Sequence, residues 1–246
     1  MKIKEKAFHR TRQPLLSGYV CVSLAGCGGT GSQVLSGLAR LHLSMRALGH
    51  PGGIHLKVFD PDKVTASNVG RQLFYQADIG RYKSDVLVSR INAAYGLDWD
   101  SHPEKFRSFV GDDITISCVD SRESRREIKK NLKTNSSYYV DCGNGPDYGQ
   151  VLIGKRPDLP MPWEILPELI ADVPEDNTPS CSLAEALGEQ ELFINQTVAT
   201  YALQLLWKMF RHGGLDCAGY FINLTTGRTM PVPLKIIEKK AEKKRK

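Results

Sequence analysis

The six cysteines of this 246-residue chain form no Cys-x-x-Cys pair, and no histidine stands at a zinc-finger offset from them. A structural zinc site therefore has little support. No apolar run is long enough to cross a membrane, and the basic opening MKIKEKAFHRTRQP lacks the apolar core of a signal peptide. The expectation is a cytoplasmic protein with reduced thiols. Internal repeats are missing, and the one low-complexity stretch is a basic tail. Residues 235–246 hold seven basic and two acidic residues, so +5 of the formal net charge of +6 sits there. The body is close to neutral, a short Lys-rich end reads as solvated, and a nucleic-acid partner is not expected.

With 41% hydrophobic and 24% charged residues, the chain has the makings of an ordinary globular core. YVCVSLAGCGGTGSQVLSGLARLHL opens with a β-rich run, Tyr19 to Leu24, breaks at glycines, and resumes with Val34, Leu35, Leu38 and Leu41 at helical spacing. IHLKVFD predicts a second strand finishing at Asp60, KSDVLVSRINAAYG a helix with a glycine stop, and DITISCVD a third strand ending at Asp120. SRESRREIKKNLKTN predicts a charged helix and SYYVDCGNG a fourth strand. Strands alternating with helices imply a Rossmann-like, doubly wound, mostly parallel α/β sheet, with ligands at the carboxyl ends of its strands. Six of the thirteen prolines fall between Lys155 and Ser180, so 155–182 reads as an irregular crossing segment. A helix interrupted near Gly188 follows, and GYFINLTTGRTMPVPL predicts a C-terminal β-hairpin turning at Thr226-Gly227. The expectation is one domain over 1–234 and a tail over 235–246.

Gly26-Cys27-Gly28-Gly29-Thr30-Gly31 fits G-x-G-x-x-G in the strand-to-helix setting that gives the pattern meaning. Glycines let the backbone approach a phosphate, and the helix start supplies unpaired N–H groups. Asp60 is placed to meet ribose hydroxyls, which an NAD-linked oxidoreductase would also need. The residues that follow point elsewhere. Asn68, Arg71 and Lys83 bring an amide and two cations to the same strand ends, and Asp120 adds a carboxylate suited to magnesium. A dinucleotide pyrophosphate needs only the glycine turn, whereas cleaving a triphosphate must offset charge on departing phosphate oxygens.

The blocks AGCGGTGSQV, FDPDKVTASNVGRQLFYQADIGRYKSD and CVDSRESR resemble the ThiF/MoeB and ubiquitin-activating-enzyme superfamily, over about Tyr19 to Val151. More narrowly the chain resembles the ThiF-family member of the bacterial PRTRC gene cluster. The resemblance implies ATP-dependent adenylation of the C-terminal carboxylate of a small ubiquitin-like, β-grasp protein. By matching position it assigns ribose to Asp60, phosphates to Asn68, Arg71 and Lys83 along with the glycine turn, and magnesium to Asp120. A chain-terminal carboxylate, with an ordinary pKa of about 3.5, is already an anion near neutral pH, so its attack on phosphorus needs no general base.

Many superfamily members also keep an acyl-accepting cysteine just before a helix, which makes Cys181 in TPSCSLAEAL the candidate and Cys142 a weaker one. Cys21, Cys27 and Cys118 are expected to be buried. A family arginine near the N-terminus often reaches a neighbouring subunit's triphosphate, so a homodimer with Arg10 or Arg12 acting in trans is expected. The stretch HLSMRALGHPGG lengthens the first crossover and has no assigned role. A non-catalytic nucleotide-binding scaffold is the remaining alternative.

Overall fold

The computed structural model describes residues 7–107, 111–132, 137–174, 184 and 188–234. An eight-stranded mixed sheet runs through it. In chain order the elements are β1 (His9–Arg10), α1 (Gln13–Ser17), β2 (Tyr19–Ala25), α2 (Gly29–Ala47), β3 (Gly53–Phe59), α3 (Lys83–Tyr95), β4 (Asp100–His102), β5 (Ile114–Ser117), α4 (Arg122–Asn131), β6 (Tyr138–Asn144), β7 (Tyr148–Gly154), α5 (Pro162–Ile165), α6 (Ile194–His212), β8 (Gly214–Leu215), β9 (Cys217–Asn223) and β10 (Arg228–Pro233). The large sheet has the order β10-β9-β7-β6-β5-β2-β3-β4, and β1 pairs separately with β8. The strands β4, β3, β2, β5 and β6 are parallel. β7, β9 and β10 continue the sheet antiparallel.

The order reverses at β2: the chain first winds outward to β3 and β4, then returns to β5 on the other side. A crevice opens at such a switch point, outside the carboxyl ends of the strands. The glycine turn lies there because β2 ends at Ala25, immediately before it.

Helix α2 buries the stripe Val34, Leu35, Leu38, Leu41 and Met45 on one face of the sheet, together with Leu87 and Ile91 of α3 and Leu205 and Leu206 of α6. Each such side chain contributes about 1.5–3 kcal/mol on full burial. Helices α2 and α6 approach closely because Gly37 has no side chain: a Cβ there would collide with Leu203. On the opposite face, Ile128 of α4 packs with Tyr139 and Met161. Buried on that side too, Arg125 donates from Nε to Asp141 at 3.1 Å, and the Tyr139 hydroxyl donates to the same carboxylate oxygen. Burial raises the Asp141 pKa while Arg125 opposes that shift.

The hairpin is present as β9 and β10, and β10 forms one edge of the sheet with Pro231 and Pro233 in it. Four expectations change. β5 stops at Ser117, three residues short of Asp120. The α6 helix begins only at Ile194, after the bend at Gln190. Residues 148–154, adjoining the expected composition break, form a full strand, β7, paired on both sides. Cys21 and Cys118 are partly exposed, whereas Cys27 is buried. No helix among the described residues is long and apolar enough to cross a membrane.

Candidate functional site

The glycine turn is built by close backbone approach. Gly26 has φ +91°, and a Cβ on it would lie 2.8 Å from the Cys118 carbonyl oxygen, so the ends of β2 and β5 touch there. Its N–H donates to Phe59 O at 2.8 Å, which ties in the end of β3 as well. A Cβ on Gly31 would run into the Gly26 carbonyl, and one on Gly29 would lie 2.6 Å from the Asn195 side chain. Gly28 differs. A Cβ there meets nothing within 4 Å, and Gly28 is the N-cap of α2, with no side-chain cap and no acid in the first turn. The first N–H groups of a helix have no partner inside it, so this end presents donors and a positive dipole end to open space.

Asp60 follows β3 directly and is 4% exposed. One carboxylate oxygen accepts from Cys27 N at 2.5 Å and the other from Asp62 N at 2.9 Å. The acid thus ties the glycine turn to the 60–83 loop, with lone pairs remaining on each oxygen for further donors. Burial raises its pKa, opposed by Lys83 and the two backbone N–H groups. Asp62 pairs with Lys83: Nζ sits 2.9 Å from its carboxylate, and Lys83 is the first residue of α3. The lysine is 8% exposed, so its ammonium is fixed beside the strand ends.

Asn68 closes a single 3₁₀ turn, Ala66–Asn68, and accepts the Thr65 N–H through its side-chain oxygen at 3.0 Å. The loop beyond it leans on α2, where Leu73 N–H donates to Ser32 Oγ at 3.4 Å. It is held from behind by Arg90 of α3, which bonds Leu73 O and Asp78 and stacks on Tyr75. Arg71 rides on this braced loop. Its Nε is buried with no hydrogen-bond partner among the described residues, and burial pulls its pKa down while Glu189 opposes. A buried guanidinium N–H left unpaired carries a desolvation penalty of about 1–3 kcal/mol or more, which an anion would remove.

Asp120 lies just beyond the Gly26–Cys118 contact. Its exposed carboxylate has no ion pair or hydrogen bond among the described residues, while its backbone oxygen accepts from Arg125 at 3.2 Å. The described residues contain no group of three or more His, Cys, Asp or Glu able to hold a metal. Magnesium seldom needs one, since it is held by one or two carboxylates with substrate phosphates completing its shell. Asp120 beside an open helix end fits that donor set.

Asp60, Lys83 and Asp120 therefore share one sheet edge with the glycine turn and the Asn68–Arg71 loop. Cys181 lies outside the described residues. Cys142 is buried one step beyond the β5–β6 register, where its hydrogen bond to Cys118 and burial push its thiol pKa well up, a poor setting for a nucleophile. Arg10 and Arg12 lie at the opposite end of the molecule. β1 pairs with β8, directly after α6, whereas the first turn of that helix touches Gly29; 19 residues of helix separate the two by about 28 Å. Neither arginine reaches its own chain's glycine turn.

One set of residues was not foreseen. Asn195, in the first turn of α6, accepts from Thr30 Oγ1 at 2.9 Å and from Asn144 Nδ2 at 3.3 Å, and donates to Gln190 Oε1 at 2.8 Å. Gln190 in turn donates to Gly145 O at 3.1 Å. No local sequence signal marks this set, because the Thr30–Asn195 bond joins residues 165 apart.

A doubly wound sheet with an anion-ready glycine turn at its switch point defines a Rossmann-like α/β protein. The chain belongs to the ThiF family, whose model matches residues 6–245. Among solved structures it is similar to PaaA, at 17% identity and TM-score 0.60, covering 88% of this chain and 64% of that one. It is also similar to E. coli MccB, at 15% identity and TM-score 0.60, covering 87% and 62%. MccB crystallised with MccA-N7isoASN matches at 15% identity and TM-score 0.62, covering 87% and 64%. The chain thus spans less than two thirds of the length of these neighbours. A search of curated proteins gave no match.

Proposed function

We propose that this protein is an ATP-dependent adenylyltransferase acting on the C-terminal carboxylate of a small ubiquitin-like protein. The observation that carries the reading is the buried, unpartnered Nε of Arg71, on a loop braced against an uncapped helix start. Membership of the ThiF family supports the same class of chemistry.

In the proposed reaction a carboxylate oxygen bonds to the α-phosphorus, the bond to the bridging oxygen breaks, and pyrophosphate leaves. The N–H groups of the glycine turn orient the phosphates, Asp60 takes the ribose, Asn68 helps hold the phosphates, and Arg71 and Lys83 balance charge on the departing oxygens. Asp120 would hold magnesium, which neutralises phosphate charge when bound. In a homodimer, Arg10 or Arg12 would serve the neighbouring subunit's site. A second step assigns Cys181 as acceptor: its thiolate attacks the activated acyl carbon, a thioester forms and AMP departs.

Exchange of labelled pyrophosphate into ATP, with the cognate partner present, tests the reading. Arg71→Ala and Asp120→Ala should each lower the exchange rate by about 10²–10³-fold. Undiminished exchange in both variants would sink the assignment. Cys181→Ser should leave exchange intact yet yield no thiol-sensitive adduct with the partner; an adduct that survives the change would remove Cys181 from the mechanism.

A further inference from the structure

The start of α2 is held from a distant part of the chain. Asn195 is 6% exposed, and its side-chain oxygen and nitrogen are both engaged, with Thr30, Asn144 and Gln190. Thr30 stands between Gly29 and Gly31, so the bond from its hydroxyl grips the turn from which the free N–H groups project. Gly29 lets Asn195 come this close, since any Cβ on it would overlap the amide. The Gly37–Leu203 contact packs the same two helices closely further along.

Resting on the adenylation reading above, we propose that Asn195 is a positioning residue for the nucleotide phosphates. It touches no substrate itself. It fixes the direction in which the Gly28–Gly31 amides point, and its bond to Gln190 makes that direction depend on the chain segment just before α6. Loss of the amide leaves the Thr30 hydroxyl only its longer bond to Asn144 Oδ1, at 3.3 Å, and lets the turn settle at other angles, which weakens contacts with phosphate and leaves contacts with the base and sugar unchanged. The predicted signature is a loss that scales with the phosphates of the ligand.

Titration of ATP and of adenosine into the full-length protein, with thermal melting in parallel, distinguishes the outcomes. Asn195→Ala should bind ATP about tenfold more weakly, the effect expected for losing a buried polar link, while adenosine affinity stays within about twofold. Thr30→Val, which keeps side-chain shape and removes only the hydroxyl, should show a smaller loss of the same kind and serves if Asn195→Ala does not fold. Equal weakening of ATP and adenosine, or ATP affinity unchanged in a folded variant, would overturn the role of Asn195 alone. A wild-type protein that binds no ATP would overturn the nucleotide reading itself.

Discussion

Helices α2 and α4 both start at the carboxyl edge of the parallel strands, yet their first turns are finished differently. At α4 the chain supplies what the turn needs: Ser121 accepts from Ser124 N–H at 3.1 Å, and Glu123 adds a negative charge to the first turn. At α2 the cap is a glycine, no acid is present, and the space over it is open. The same backbone problem is solved by a side chain in one place and by none in the other. An uncapped helix start together with a half-buried arginine whose Nε lacks a hydrogen-bond partner is the combination that the proposed phosphate site rests on.

Four substitutions would sharpen or break that contrast. The largest effect belongs to Gly31→Ala. Its methyl would meet the Gly26 carbonyl, which neighbouring strands hold in place, so a stability loss on the order of 4 kcal/mol is expected, read as loss of the cooperative melting transition. A soluble variant with an unchanged transition would show that the turn is looser than described.

Next comes an exchange of caps. Ser121→Ala should cost about 1 kcal/mol in urea denaturation while leaving ATP affinity unchanged. Gly28→Asp should do the reverse, raising stability by a few tenths of a kcal/mol, roughly, and abolishing measurable ATP binding, because the new carboxylate occupies the free donors and repels phosphate. If Gly28→Asp binds ATP normally, the open helix start is not the phosphate site.

The smallest effect is a slope against pH. Burial raises the Asp60 pKa above its ordinary value, so the folded state keeps a proton that the unfolded chain gives up. This contribution to stability is fully present below the unfolded pKa and is lost as pH rises through the folded value. Asp60→Asn cannot ionise, so its stability relative to wild type should increase from about pH 4 towards neutral, as followed by urea denaturation at several pH values. A difference that does not vary with pH would mean that the carboxylate is as well stabilised in the fold as in water.

Much of the parallel half could be read directly because its signals are local. Gly26 and Gly31 have to be glycine for backbone reasons, and the acid, amide and cations of the 60–83 block lie within one short span. β7 escaped because its residues adjoin the GNGPD turn and a proline-rich stretch, and only pairing with β6 and β9 makes them a strand. Asp120 fell beyond β5 because the strand's last ladder partner is Asp141, opposite Ser117. Asn195 could not be found locally at all. An asparagine at the start of an amphipathic helix is ordinary, and its meaning comes from contacts with Thr30, Asn144 and Gln190 that only the folded chain creates.

The two prolines of β10 bear on how copies of this molecule behave in company. Pro231 and Pro233 lack N–H groups and stand two residues apart, across a register shift at Val232/Pro233, in a strand that among the described residues pairs only with β9. The far side of that strand cannot offer a continuous ladder to an incoming chain. Edge-to-edge stacking, the route by which exposed strands seed filaments and aggregates, is therefore blunted at this end. Crowded molecules must meet there through side chains, and a concentrated solution should be correspondingly slow to form fibres from that edge.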